Sequence, residues 1–357
     1  MISSLHVENF RCFKSVDLSD LRRINVVVGK NATGKTALLE AVRLALGGTP
    51  AVLWNMNQAR TFPGVSQPMT RELFESLWNP FFFNFDASKA ILAECRDTGG
   101  RVARVKILFD EGKSITTVPQ QQPQQPAALP ISSIAPLAFE RVDFSGTPST
   151  IYASLNQQGG LNFDQGPELG QAAEYFPSSS WNLNPFLSAQ WFSQLSLVQR
   201  ETEIVTATRD EFEPALENLV VLSPGGLPGI YASVRYLREK IPVSLVSAGI
   251  TRFITMLSAV VIRGKGVVLI DEVENGLFYK ILPSLWKHLL RFAMQNDTQI
   301  FASTHSLECV KALLPGMQGN ENEFALLRVE RINGASGITV VPGRSLEAAI
   351  DQGVEVR

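Results

Sequence analysis

Gly29-Lys30-Asn31-Ala32-Thr33-Gly34-Lys35-Thr36 follows the apolar run Ile24-Asn25-Val26-Val27-Val28 and precedes a helical pattern that begins at Ala37. Two glycines allow a tight turn in which successive backbone N–H groups converge on one point, where an anion would sit. Lys35 is spaced to reach the outer phosphates of a nucleotide, and the Thr36 hydroxyl to ligate Mg²⁺. A helix starting here directs the positive end of its dipole at the same point. Leu38, Ala41, Val42 and Ala45 recur at helical spacing, which gives that helix one buried face, and Gly47-Gly48 stops it. Strand, loop and helix in this order predict that Gly29 to Ala37 bind a nucleoside triphosphate with Mg²⁺. These residue types leave ATP and GTP both open.

The rest of the chain limits the surroundings of that loop. Its 357 residues suffice for one large or two ordinary domains with a substantial core. The formal net charge of −2 provides no global field for nucleic acid or an anionic membrane. DNA contact would have to be local, at Arg22-Arg23, at Arg101, Arg104 and Lys106, or at Arg235, Arg238 and Lys240. Cys12, Cys95 and Cys309 are few, odd in number and far apart, which argues against a disulfide framework or a zinc site and for a reducing cytoplasm. The start, Met1 to Arg11, alternates like a strand and has no signal-peptide apolar segment. The apolar stretch Phe253 to Ile262 is cut by Arg263-Gly264-Lys265-Gly266, short of the ~20 residues that span a bilayer. No membrane insertion is expected.

Along the chain, residues 1–50 read as strand, strand, phosphate loop, helix, and the wound helix–strand pattern returns over 244–357. Together these two stretches are the expected nucleotide-binding core. Residues 51–243 are the expected insertion, part β and part helical. Within it, Arg101 to Phe109 alternates as a strand with one wet face, and the Pro- and Gln-rich stretch 117–130 reads as a flexible loop at a hairpin tip. Ala189 to Asn218 reads as amphipathic helix interrupted at Pro214.

Hydrolysis needs a carboxylate near the metal and a base for water, at the end of a strand beside the phosphate loop. Val267-Val268-Leu269-Ile270-Asp271-Glu272 supplies both: Asp271 as the Mg²⁺ ligand and Glu272 as the base, with Glu274 a weaker rival. Thr298 to Thr304 is a second buried run ending in polar groups, and His305 stands at its tip, where ligands of parallel-sheet folds gather, placed to hydrogen-bond a γ-phosphate. Ser247 reads as the N-cap of a helix with the stripe Ile250, Phe253, Ile254 and Leu257. With Gly249 it also makes a second anion site.

Phosphate loop, Ser-x-Gly helix start, Asp-Glu strand end and strand-terminal His, in this order, resemble the ABC-type ATPase heads. The opening Val7 to Lys14, the segment Asp271 to Leu277, Ser303 to Ser306 and the tail Ile350 to Arg357 resemble more narrowly the stand-alone ATPases related to the overcoming-lysogenisation-defect (OLD) family and to RecF and SMC heads. The resemblance implies an α/β P-loop NTPase, an ABC-ATPase head with a mixed central sheet, an inserted β region and a helical lobe. It implies ATP as the nucleotide and a head-to-tail homodimer formed on ATP, with Ser247 and Gly249 of one chain at the γ-phosphate held by the other. Arg11 would approach the phosphates, or else stand exposed at the end of its strand. OLD-type proteins often carry a Toprim nuclease domain. The stretch after His305 reads as two strands and a short helix instead, so a nuclease would be a separate polypeptide, and the implied setting is DNA repair or phage defence. The ATP subunit of a transporter and an ATP-timed regulatory scaffold are the rival readings. Val246-Ser247-Ala248-Gly249 lacks the second Gly and the Gln that transporter heads prefer, Phe278 stands where close relatives often carry His, and Gln190 and Gln194 are the candidates for a lid glutamine.

Overall fold

The computed structural model describes residues 1–58, 69–113, 115–117, 132–156, 160–170, 173–178 and 185–351. The chain opens with β1 (Ile2–Phe10), β2 (Phe13–Leu18) and β3 (Ile24–Val28), then α1 (Lys35–Gly47), α2 (Pro50–Gln58) and α3 (Arg71–Trp78). Strands β4 (Ile91–Asp97), β5 (Val102–Phe109), β6 (Ile115–Thr117), β7 (Ser132–Ile134), β8 (Leu137–Val142), β9 (Pro148–Leu155), β10 (Leu161–Phe163) and β11 (Ala173–Phe176) follow. A helical stretch, α4 (Pro185–Leu197) and α5 (Glu201–Glu211), leads to β12 (Leu216–Leu222), β13 (Gly229–Val234) and β14 (Ile241–Pro242). The last third holds α6 (Val243–Val246), α7 (Ala248–Ile262), β15 (Val267–Ile270), α8 (Leu282–Asn296) and β16 (Gln299–Ser303). It closes with α9 (Leu307–Lys311), α10 (Leu313–Met317), β17 (Phe324–Ile332), β18 (Ala335–Pro342) and α11 (Gly343–Asp351).

Two large sheets result. A six-stranded mixed sheet has the order β11-β15-β16-β3-β17-β18, parallel except for the terminal β17–β18 hairpin. A seven-stranded antiparallel sheet has the order β10-β9-β8-β5-β4-β1-β2. The central strands of the first sheet, β3, β15 and β16, are buried along their whole length, as parallel strands covered on both faces must be. Val26, Ile270 and Ala302 point into one core, shared with Phe253, Ile254, Leu257 and Trp286 of α7 and α8. Their neighbours Val27, Leu269 and Phe301 point into the other, shared with α1 and the antiparallel sheet. Buried Gln299 joins the two sheets: its amide accepts from the Ile2 N–H at 2.8 Å and donates to the Ile2 carbonyl at 2.9 Å.

This is the expected α/β arrangement, with a mixed central sheet, a β insertion and a helical lobe. The expected boundaries at 50 and 244 do not coincide with the sheets. β1 and β2 belong to the antiparallel sheet, and β11, from inside 51–243, pairs in parallel with β15. The stretch Ala189 to Asn218 is not one interrupted helix. It is broken after Leu197, and beyond Pro214 the chain enters β12, where Leu216 and Leu219 are buried and pair with β13. Pro214 disfavours helix in the residue before it, which sets that change of structure. Most of the expected flexible loop 117–130 lies outside the described residues. The residues flanking it pair as antiparallel β6 and β7, Thr117 opposite Ser132. The tail beyond Asp351 likewise lies outside them. Among the described residues the three cysteines are free, and no helix is long and apolar enough to cross a membrane.

Candidate functional site

The phosphate loop hangs between central strand β3, all of whose residues are buried, and the N-terminus of α1. Gly29 has φ 147°, and a Cβ there would lie 2.3 Å from the Val329 carbonyl oxygen of β17, so no side chain fits. Ala32 and Gly34 also have left-handed φ, 60° and 115°, and this alternation turns successive N–H groups to one side. Lys35 folds back over the loop, its Nζ donating to the Gly29 and Lys30 carbonyls at 2.8 and 3.0 Å. Burial lowers its pKa, and the carboxylates of Asp271, Glu272 and Glu274 act against that fall.

The acidic pair closes β15 beside this loop. The Thr36 hydroxyl donates to Asp271 Oδ2 at 2.9 Å, and Ser303 Oγ of β16 donates to Oδ1 at 2.5 Å. Ser303 Oγ also accepts from the Glu272 N–H at 2.8 Å, so one hydroxyl orients both acids. A hydroxyl and a nearly buried carboxylate that converge in this way are hard oxygen donors of the kind Mg²⁺ takes. Among the described residues no group of three or more His, Cys, Asp or Glu could hold a metal.

Glu272 has left-handed φ, 51°, an unusual conformation for a residue with a side chain and one concentrated at functional sites. Three neighbours hold it there: Ser303, Asn275, and Arg252 of α7. The Arg252 guanidinium is buried, and its Nη2 donates to the carbonyls of Asp271 at 3.1 Å and Glu272 at 2.6 Å. Burial pushes its pKa down to about 9 against the pull of Glu274, Asp271 and Glu272. Glu274 is turned toward His305. Its Oε1 accepts from the His305 backbone N–H at 3.1 Å and lies 3.2 Å from Nδ1.

A cleft of about 820 Å³ opens over the loop. Asn31, Ala32, Gly34, Lys35, Thr36, Ala37, Arg11, Asp271 and Glu272 line it, together with the rings of Phe82, Phe83 and Phe85. Gly29, Lys30 and Thr33, though in the same loop, do not line the cleft. Arg11 is not an exposed strand-end residue: it pairs with the buried carboxylate of Glu40 at 3.1 Å and lies over the Phe81 ring. Ser247, Gly249, Glu274 and His305 do not line the cleft. Ser247 caps α7, its Oγ accepting from the Gly249 N–H at 3.1 Å. Gly249 lies against Gly276, whose carbonyl oxygen would be 2.4 Å from a Cβ at 249. Around this helix start Leu245, Val246, Phe278 and Tyr279 are exposed.

Gln190 and Gln194 do not reach the nucleotide cleft. They line a separate apolar groove with Phe186, Ala189, Leu197 and Pro228. Tyr175 of β11 and the residues just after that strand, Pro177 and Ser178, reach the cleft instead. Sequence reading also missed Glu40, Arg252, Asn275 and Ser303. Glu40 was hidden by helical spacing that counts only apolar residues. Ser303, a hydroxyl at the end of an apolar strand, carried the one signal that could have found it. Arg331 and Gly334, at the β17–β18 turn, line the cleft as well.

Two family descriptions match this chain: "AAA ATPase domain" over residues 1–118, and "AAA domain, putative AbiEii toxin, Type IV TA system" over residues 142–310. An "ATP/GTP phosphatase" of Helicobacter pylori is 23% identical over 337 residues, 88% of this chain and 87% of that protein. Among solved structures, an Smc head bound to the C-winged helix domain of ScpA is 16% identical with a TM-score of 0.49, over 98% of this chain and 99% of that one. The SMC head domain from Thermotoga maritima is 14% identical with a TM-score of 0.44, over 96% and 98%. On the phosphate loop between β3 and α1 and the two domain matches, the chain is a P-loop NTPase, and it is an ATPase.

Proposed function

We propose that this ATPase works as a pair of heads. Each binds ATP with Mg²⁺ in its own cleft, and the pair closes head to tail so that Ser247 and Gly249 of one chain meet the γ-phosphate held by the other. The observation that carries this reading is the separation within one chain: the phosphate loop, Asp271 and Glu272 share a cleft that Ser247, Gly249 and His305 do not line. Exposed Leu245, Val246, Phe278 and Tyr279 beside Ser247 supply an apolar surface for a second copy.

In this reading Gly29 to Ala37 cradle the phosphates, Lys35 leaves the loop carbonyls to neutralise the outer ones, and Arg11 stands at the rim of the same cleft. Thr36 and Asp271 would hold Mg²⁺, which when bound neutralises phosphate charge and orients the β- and γ-phosphates. Glu272 takes a proton from water as its oxygen bonds to the γ-phosphorus. The bond from that phosphorus to the β–γ bridging oxygen breaks, leaving ADP and inorganic phosphate. His305 hydrogen-bonds the γ-phosphate once the heads close. The nucleotide-binding core is residues 1–50 and 244–357 with β11 added. We assign the cycle to DNA repair or phage defence, with closure licensing a nuclease on a separate polypeptide.

The test is the solution mass of Glu272→Gln with and without Mg-ATP. This change removes the base but keeps the shape, so a shift from monomer to dimer in ATP is expected. An unchanged monomer in saturating ATP sinks the paired-head reading. DNA affinity measured across a salt series tests the setting: log affinity falls linearly with log salt when several phosphates are contacted. No binding at low salt with ATP present removes DNA from the proposal.

A further inference from the structure

Asn275 touches the Glu272 carboxylate without lining the cleft. Its Nδ2 donates to Glu272 Oε2, and its backbone N–H donates to the Glu272 carbonyl at 3.1 Å, closing a four-residue turn. The backbone of Glu272 is otherwise fixed from both sides, by Ser303 of β16 and Arg252 of α7. Those contacts hold the main chain only. Among the described residues, the hydrogen bond to the Glu272 carboxylate comes from Asn275. The choice of donor matters, because Glu272 and Lys35 line the same cleft and their opposite charges attract. A carboxylate drawn onto Lys35 would compete with the phosphates for the cation they need.

We infer that Asn275 is a positioning residue for hydrolysis: its amide holds the Glu272 carboxylate at the cleft wall, aimed at water and kept off Lys35. This rests on Glu272 being the base. A neutral amide suits the task, since it donates to one carboxylate oxygen and leaves the other able to take a proton. Asp at 275 would keep the size and the turn-forming character but remove the donor and place two carboxylates side by side.

The experiment compares wild type, Asn275→Asp, Asn275→Ala, Glu272→Gln and the double variant Glu272→Gln/Asn275→Asp. Steady-state ATP hydrolysis and direct Mg-ATP affinity are measured for each. The expected result is a kcat for Asn275→Asp reduced roughly tenfold or more, within the range that a positioned base contributes, with affinity changed by less than about twofold. Asn275→Ala should fall between Asp and wild type, and the double variant should match Glu272→Gln alone. A purely structural turn residue would tolerate Asp. Wild-type kcat for Asn275→Asp, alongside an inactive Glu272→Gln, therefore overturns the inference and leaves the base intact. Wild-type turnover by Glu272→Gln removes the base assignment and this inference with it.

Discussion

The Thr36 hydroxyl and the Asp271 carboxylate, 235 positions apart in the chain, meet at 2.9 Å. The contact exists because β3 and β15 flank β16 in one parallel sheet, so both strands deliver their C-terminal ends to the same edge. Asp271→Asn keeps the size and shape of the side chain but removes the negative charge it offers to a cation. Phosphate release titrated against Mg²⁺ should show a large loss of rate, on the order of 10²-fold or more, and a raised Mg²⁺ requirement. Wild-type Mg²⁺ dependence in Asp271→Asn would remove Asp271 from the metal site.

Lys35 spans its own loop, bonded to the Gly29 and Lys30 carbonyls. Lys35→Ala should leave the fold intact, since the loop is also held by Thr33 Oγ1 on the Lys30 carbonyl at 2.8 Å. Nucleotide affinity should fall below detection in equilibrium binding with a fluorescent ATP analogue. Unchanged affinity would mean that the phosphates sit elsewhere.

Gly249 has room for hydrogen alone against Gly276. Gly249→Ala forces the start of α7 away from the segment after Glu272, at a cost of about 1–3 kcal/mol for overpacking. A lower melting temperature is expected, together with a loss of ATP-dependent association in the Glu272→Gln background. A variant that melts and associates like its parent would show that this approach is not needed.

His288, on α8, is packed against Phe253 and bonded to Glu211 at 3.2 Å. Burial lowers its pKa below 6.5; Arg291 and Lys287 push the same way, and Glu211 opposes them. The unfolded chain therefore binds the proton more readily than the folded one. Stability rises with pH through the interval between the folded pKa and 6.5, and is lost as pH falls through it. Urea midpoints at mildly acidic and neutral pH should differ more in wild type than in His288→Gln. Equal differences in the two proteins would exclude His288 as a source of acid sensitivity.

Gly29 to Thr36, the strand before them and the helix after them were legible in the sequence because each is specified by its neighbours. Glycine conformational freedom, an apolar run and a helical repeat are local properties. The acids after Ile270 were legible for a related reason, since strand ends in a parallel sheet point one way; His305, also at a strand end, turns to Glu274 outside the cleft. The expected lid glutamine was not to be had from local sequence: Gln190 and Gln194 face an apolar groove, and β11 is what carries this part of the chain to the cleft.

Chemistry written in adjacent residues, the phosphate loop and the Asp271-Glu272 pair, was determined by the sequence itself, because a turn or a strand end needs only a few positions to specify it. Which groups those residues answer to was decided in three dimensions. The pairing of Arg11 with Glu40, the bridging of two acids by Ser303 and the anchoring of Glu272 by Arg252 each depend on side chains from separate elements arriving within about 3 Å. That distance is set by how two cores pack against one sheet, which no run of neighbouring residues encodes.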